Sequence, residues 1–316
     1  MSKKFIFHVG VGKTGSSYLQ KKVYPFIEDV FFGGVFTQTP SDLDLISDLL
    51  YKYSTQSHPF PPEEVEKVKK KTDKFKSNVE KETILYSDEN LVGSAQLSYT
   101  NNKYTTSYIK EIEPNAKIFF VFRKQDSWTT SLYSHYVTRL NLYNKFVPIN
   151  KYLDYKESEF GHNGNLNINL LNWFDLFNNY VNEFGKNNVF ALPYELFKED
   201  KEQFIKIFCD FAEITPYFPK DNEYINAKGS SIVYHTVIHS KYEQMVNNIK
   251  NTKIKTFIAK NDRGLKKFLR QFKTKFDYSK EMLTDVQKQQ ILEIHKESNK
   301  NLSKAIGIDL SQYGYY

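Results

Sequence analysis

At 316 residues, with 40% hydrophobic and 16% aromatic side chains, the chain has room for one large α/β domain or two small ones and enough apolar surface for a substantial core. No run of 18 apolar residues occurs and the Phe5–Val9 segment is too short for a signal-peptide core, so a cytoplasmic protein without a transmembrane segment is expected. The net charge of +7 favours anionic partners, yet the cations are nearly all lysine, and this Lys- and Asn-rich composition does not argue for nucleic acid, which is not expected as a partner.

The elements follow in chain order. Phe5–Val9 reads as a buried strand, Gly10–Gly15 as a loop, and Ser16 opens a helical pattern whose apolar face is Tyr18, Leu19, Val23 and Phe26. Pro40 to Glu82 is helical and lysine-rich, broken by Pro59, Pro61 and Pro62, and reads as a solvated face. Thr83–Tyr86 is a second strand that ends in Ser87-Asp88-Glu89-Asn90. Lys117–Phe122 is a third and ends in Arg123. Leu166–Phe184 reads as an amphipathic helix and Val189–Leu192 as a fourth strand. Further helices are expected over Lys201–Ala212, Ile232–Asn248 and Val286–Ala305. Strands separated by helices predict an α/β fold: a central parallel sheet flanked by helices. With no repeat, linker-like stretch or metal-ligand spacing in view, a single domain over 1–316 with helical insertions is the simplest organisation. No metal is expected.

The segment from His8 to Ser17, HVGVGKTGSS, carries the first chemical signal. Strand, glycine turn and helix aim backbone N–H groups at an anion, and Lys13, Thr14, Ser16 and Ser17 add a cation and hydroxyls. Ser16 is also a candidate cap for the helix. Gly12-Lys13-Thr14 matches the end of GxxxxGK[ST], but the position of the first glycine is Phe7. An ATP-dependent reaction also wants an acidic strand end for Mg²⁺. Asp88 or Glu89 offers one, whereas the Lys117–Phe122 strand ends in Arg123-Lys124. Ser131 follows Arg123 by eight residues, about one and a half turns into the next helix. A guanidinium at a strand end with a hydroxyl on the helix behind it suggests a second phosphate site.

Together these residues resemble the sulfotransferases that use 3′-phosphoadenosine 5′-phosphosulfate (PAPS). HVGVGKTGSSYLQ is similar to their 5′-phosphosulfate loop, in which the missing glycine is expected, and VFRKQDSWTTSLYSHY to their 3′-phosphate motif. NNVFALPYELFKED resembles a further strand-and-helix segment of the family. NKNLSKAIGIDLSQYGYY is similar to the closing segment of many bacterial and carbohydrate-type members.

The resemblance implies a P-loop nucleotide-binding, sulfotransferase-like fold that moves a sulfuryl group from PAPS to a hydroxyl, releases 3′,5′-ADP and requires no metal. The acceptor it implies is a carbohydrate or glycolipid, with a hydroxylated metabolite left open. Lys13 would offset charge on the departing phosphate. Thr14, Gly15, Ser16 and Ser17 would bind the 5′-phosphate, and Arg123 and Ser131 the 3′-phosphate. Tyr194 would face adenine. Lys228 and Gly229, in NAKGSS, would belong to a late closing loop in which Ala227 stands in place of the family's arginine.

A general base must take the acceptor proton. Glu89 is the candidate, with Asp88 and His135 as competitors, while a Glu89 that merely caps a helix at Asn90 is the bland alternative. His8, Trp128, Trp173 and Cys209 read as structural. Two other readings stay open: a Mg-ATP kinase using Asp88, and a non-catalytic protein that binds nucleotide or glycan. The acceptor pocket is expected from Phe31–Phe60, Leu91–Tyr108, Tyr133–Asn165 and the late helical insert.

Overall fold

The computed structural model describes residues 3–33, 61–138, 149–154, 166–220, 232–235, 241–242, 245–246, 248–272, 274–277 and 282–316. Nine strands occur among them: β1 Lys4–Gly10, β2 Val30–Phe32, β3 Thr83–Ser87, β4 Lys117–Phe122, β5 Leu153–Asp154, β6 Leu166–Asn167, β7 Val189–Pro193, β8 Ile232–His235 and β9 Thr274–Asp277. The chain divides into two compact units. The first holds Met1–Trp128, Tyr152–Ile225 and Asp285–Tyr316; the second holds Thr129–Lys151 and Asn226–Thr284.

The first unit is built on a five-stranded sheet in the order β2-β3-β1-β4-β7, with every pair parallel. Such strands are covered on both faces, which is why FIFHV, TILY and KIFFVF run apolar without alternation. On one face Ile6, Leu85, Phe119, Val121 and Leu192 pack against Tyr18, Leu19, Val23 and Tyr24 and against Phe204, Ile205 and Phe208 of the Lys201–Ala212 helix. On the other, Phe120 meets Tyr180 of the Trp173–Phe184 helix and Phe122 meets Tyr315. The α/β architecture expected from the strand–helix alternation is therefore present. β1 lies between β3 and β4; the chain runs from β1 to β2 and β3 on one side and then crosses to β4 and β7 on the other. The carboxyl ends of these three strands thus flank the crevice where open α/β sheets take their ligands.

Three predicted elements differ from those observed. The helix after the loop is a single α-turn, Ser16–Tyr18, followed by a π-helical stretch Leu19–Val23 and a 3₁₀ turn Tyr24–Phe26. The wider π-turn shifts the phase, so Tyr24 and Ile27 are buried while Phe26 turns outward and stacks on Tyr217. The Leu166–Phe184 helix begins only at Trp173, because the Asn172 side chain accepts from Asp175 N at 3.1 Å and caps it there. Upstream, β6 pairs with β5 and Ile168–Leu170 is a 3₁₀ turn. In the second unit Ile232–His235 is not helical; its IVYH sequence pairs antiparallel with Thr274–Asp277, as β-branched and aromatic residues favour. Much of the remaining 236–247 segment lies outside the described residues.

Two buried histidines predict acid lability. His295 bonds through Nε2 to the Ile168 carbonyl at 2.8 Å, and burial holds its imidazole down at about 4. His8 bonds to Ser87 Oγ at 2.7 Å, and burial holds it at about 3. An unfolded imidazole protonates near pH 6.5, so both groups leave stability intact above that pH and remove it as pH falls toward 4 and 3. Gln at position 295 keeps a donor for Ile168 and cannot titrate. Urea melts at pH 7 and pH 4.5 should show the His295→Gln protein losing roughly 2–3 kcal/mol less than the unsubstituted chain over that interval. Equal losses would show that His295 is not the titrating group.

Candidate functional site

Backbone geometry shapes the loop after β1. A Cβ on Gly10 would lie 2.8 Å from the Val121 carbonyl oxygen, so only glycine lets β1 approach β4 there. Lys13 sits in the left-handed region with φ 71°, as does Gly15 with φ 83°. The Thr14 hydroxyl donates to the Val11 carbonyl at 2.8 Å, and Thr14 is buried. Thr14 thus closes the turn internally through its side chain. Ser16 does not cap the helix: Gly15 is the N-cap, and the Ser16 hydroxyl donates to Glu89 Oε2 at 3.3 Å. Ser17 is half-buried on the same turn.

The ends of β3 and β4 bring opposite charges to this loop. Glu89 reaches it directly, since a Cβ on Gly12 would lie 3.4 Å from Glu89 Oε2. Its neighbour Asp88 does different work. Asp88 is the N-cap of the Glu89–Val92 turn, accepting from both the backbone and side-chain nitrogens of Asn90 at 2.8 and 2.9 Å. Burial pushes its carboxyl up to about 6. The capping role weighed for Glu89 therefore belongs to Asp88. From β4, Arg123 donates Nη1 to the Lys13 carbonyl at 3.1 Å and Nε to Ser127 Oγ at 2.9 Å. Its guanidinium lies 4.9 Å from the centre of the Tyr194 ring, within cation–π range. Tyr194 stacks on Phe197, and both rings stand against Gly15.

Both tryptophans of the chain serve this site, a role that reading them as core does not supply. The Trp128 indole N–H donates to the Gly12 carbonyl at 2.7 Å, and that of Trp173 to the Arg123 carbonyl at 2.7 Å. Their rings meet edge to face, and Tyr99 touches both. Burial raises the Tyr99 hydroxyl well above its usual range, with the Glu89 charge adding to the rise and a hydrogen bond from the Gly12 backbone opposing it. A buried indole must place its N–H, and that requirement was the available signal for Trp128 and Trp173. Tyr99, held at φ 63°, has no comparable signature in the sequence.

The closing segment supports the β4 end. Tyr315 OH donates to Glu195 Oε2 at 2.7 Å, and Glu195 Oε1 accepts from Lys124 N at 3.3 Å. The amides of Asn299 and Gln125 exchange hydrogen bonds of 2.9 and 3.1 Å.

Lys13, Thr14, Gly15, Ser16, Ser17, Glu89, Arg123 and Tyr194 all gather at the carboxyl ends of β1, β3, β4 and β7. Ser131 and His135 are half-buried on the Gln125–Thr138 helix and fall in the second compact unit. Lys228, Gly229 and most of the expected acceptor segments lie outside the described residues. Cys209 is buried, and burial pushes its thiol up to about 12, which leaves it unreactive near neutral pH. Among the described residues no three His, Cys, Asp or Glu side chains form a metal-holding group, and no helix is long and apolar enough to cross a membrane.

No protein-family model matches the chain, and no curated protein matches it. Among the solved structures that the chain is similar to in part, two are sulfotransferases of low identity. A sulfotransferase from Alicyclobacillus acidocaldarius is 16% identical over 72% of this chain and 87% of its own, with a TM-score of 0.48. The sulfotransferase domain from the curacin biosynthetic pathway is 11% identical over 73% of this chain and 82% of its own, with a TM-score of 0.38. Neither lends a residue role to this chain.

Proposed function

We propose that this chain is a sulfotransferase that moves a sulfuryl group from PAPS to a hydroxyl of a carbohydrate, a glycolipid or a small hydroxylated metabolite. One observation carries the reading. A guanidinium and a carboxylate from the two strands flanking β1 meet the loop at adjacent residues, Arg123 at Lys13 O and Glu89 at Gly12 and Ser16. Such a loop suits an anion, and the carboxylate beside it suits the proton of an incoming hydroxyl.

PAPS, when bound, supplies the sulfuryl group and a phosphate that accumulates charge as it leaves. Lys13 offsets that charge. The N–H groups of Thr14, Gly15, Ser16 and Ser17 hold the 5′-phosphate, while the Thr14 hydroxyl keeps the turn closed. Arg123 takes the 3′-phosphate, since its bonds to Lys13 O and Ser127 engage two of its five N–H donors. Tyr194, beside Arg123 at the end of β7, stands where adenine would lie. Glu89 accepts the acceptor's proton as the new O–S bond forms. Asp88, the carboxylate a Mg-ATP kinase would use, is engaged in its cap, which weighs against that reading.

Thermal melts separate the readings. 3′,5′-ADP without magnesium should raise the melting temperature, and labelled sulfate should pass from PAPS to members of a glycan and phenol panel. Stabilisation that requires Mg-ATP would overturn the proposal in favour of a kinase. Stabilisation by 3′,5′-ADP with no transfer to any panel member would favour a binding protein.

A further inference from the structure

The charge of the chain is concentrated in one place. Between residues 248 and 272 there are eight Lys or Arg residues and a single acidic one, Asp262; the rest of the chain has 36 of each sign. The full net charge of +7 thus resides in 25 residues, which also hold two of the four arginines, Arg263 and Arg270. The segment folds as two helices of the second unit, Thr252–Asn261 and Arg263–Leu269. Asp262, at their junction, is buried. It accepts from Tyr242 OH at 3.0 Å and pairs with Lys266 at 3.3 Å. The one negative charge is turned inward, so the exposed charges of these helices are all positive.

The same helices place apolar side chains in water. Phe257 is 70% exposed and Phe268 53%, and Ile254, Leu265 and Phe272 are exposed beside them. Their spacing is helical: 254, 257 and 258 on one helix, then 265, 268 and 272 along the other and its C-terminal end. In a water-soluble helix such a stripe faces the core. Here it faces outward, and the 100° step per residue puts Lys253 and Lys260 on one flank of Ile254 and Lys255 on the other.

We propose that this surface docks the protein onto an anionic lipid bilayer. Phe257, Phe268 and the neighbouring aliphatic side chains would enter the interface while the flanking lysines extend to the headgroups. Charge complementarity selects this occupant. A second copy would bring the same cations into opposition. A nucleic acid would satisfy the charge but leave the aliphatic stripe in water. An anionic membrane satisfies both features, and cationic segments concentrate on such leaflets. The proposal concerns the second unit alone and does not depend on the sulfuryl-transfer reading.

The test is sedimentation of the full chain with vesicles of phosphatidylcholine alone or with about a third phosphatidylserine. Partitioning should be at least about tenfold stronger with phosphatidylserine and fall in high salt. Phe257→Ser with Phe268→Ser should weaken it about tenfold, and Lys253→Glu with Lys260→Glu and Lys267→Glu should remove the phosphatidylserine preference. All five side chains are exposed, so circular dichroism and melting should be unchanged. The native chain's salt and lipid dependence stands as a readout that needs no variant. Equal partitioning into both vesicles would overturn the proposal. So would tighter binding to duplex DNA than to phosphatidylserine vesicles, or lipid-free self-association that the two Phe substitutions abolish.

Discussion

Replacing Lys13 with alanine or with glycine should lower turnover by about 10³-fold in either case, while the glycine protein should be the more stable of the two by about 1 kcal/mol. The two substitutions separate two properties of one residue. Both remove the ammonium that, in the proposed reaction, offsets charge on the departing phosphate, so both should lose transition-state stabilisation of the kind that preorganised charges supply. Only glycine also removes the penalty of an L-residue at φ 71°. Alanine carries that penalty unchanged and serves as the reference for the lost side chain. The chain would then be keeping a strained residue at the apex of its loop because the side chain is required there. Turnover by the alanine protein within tenfold of the unsubstituted chain would remove Lys13 from the chemistry and favour a binding protein. Equal stability of the two variants in urea melts would show that the strain is absent.

Much of the scaffold was legible because parallel strands advertise themselves. β1, β3 and β4 are buried on both faces, so their sequences run apolar and stop abruptly at Gly10, Asp88 and Arg123. Those stops are the strand ends that carry the site. The Lys201–Ala212 helix was equally plain, with Asp200 as its cap and a clean apolar face. The helix before β7 was not. Leu166, Leu170 and Leu171 continue its periodicity upstream, and only the Asn172 cap interrupts it, a competition between side chain and backbone that apolar spacing does not register. The π-turn at Leu19–Val23 likewise has no signature in a pattern read at 3.6 residues per turn. At the site, chain position indicated Lys13, Glu89 and Arg123, but not what steadies them. Trp128 and Trp173 are buried and read as core. The direction of each indole N–H, one onto Gly12 O and one onto Arg123 O, comes from long-range packing with Tyr99.

Glu89→Gln should lower kcat by roughly 10²- to 10⁴-fold with little change in affinity for 3′,5′-ADP, while Asp88→Asn should stay within about tenfold of the unsubstituted chain. Glutamine preserves the shape of Glu89 and can still accept from the Ser16 hydroxyl, so the loop should be retained and only proton acceptance lost. Asp88 makes the opposite test. Asparagine caps a helical turn as well as aspartate does and keeps an oxygen for Asn90, so the Glu89–Val92 turn should persist. What should change is stability against pH. Burial raises the Asp88 carboxyl from 3.8 to about 6, so the folded state is favoured while it is protonated and loses that advantage as pH rises from 3.8 through 6. The Asp88→Asn protein should lack this contribution, a difference of roughly 2–3 kcal/mol in the pH dependence between 4 and 7. His135→Gln, altering a half-buried residue of the second unit, should leave kcat within a few-fold of the unsubstituted chain. Should Asp88→Asn abolish transfer while Glu89→Gln spares it, the base is the buried carboxyl. The proton would then have to reach Asp88 through its capped turn, past the carboxylate that already faces the loop.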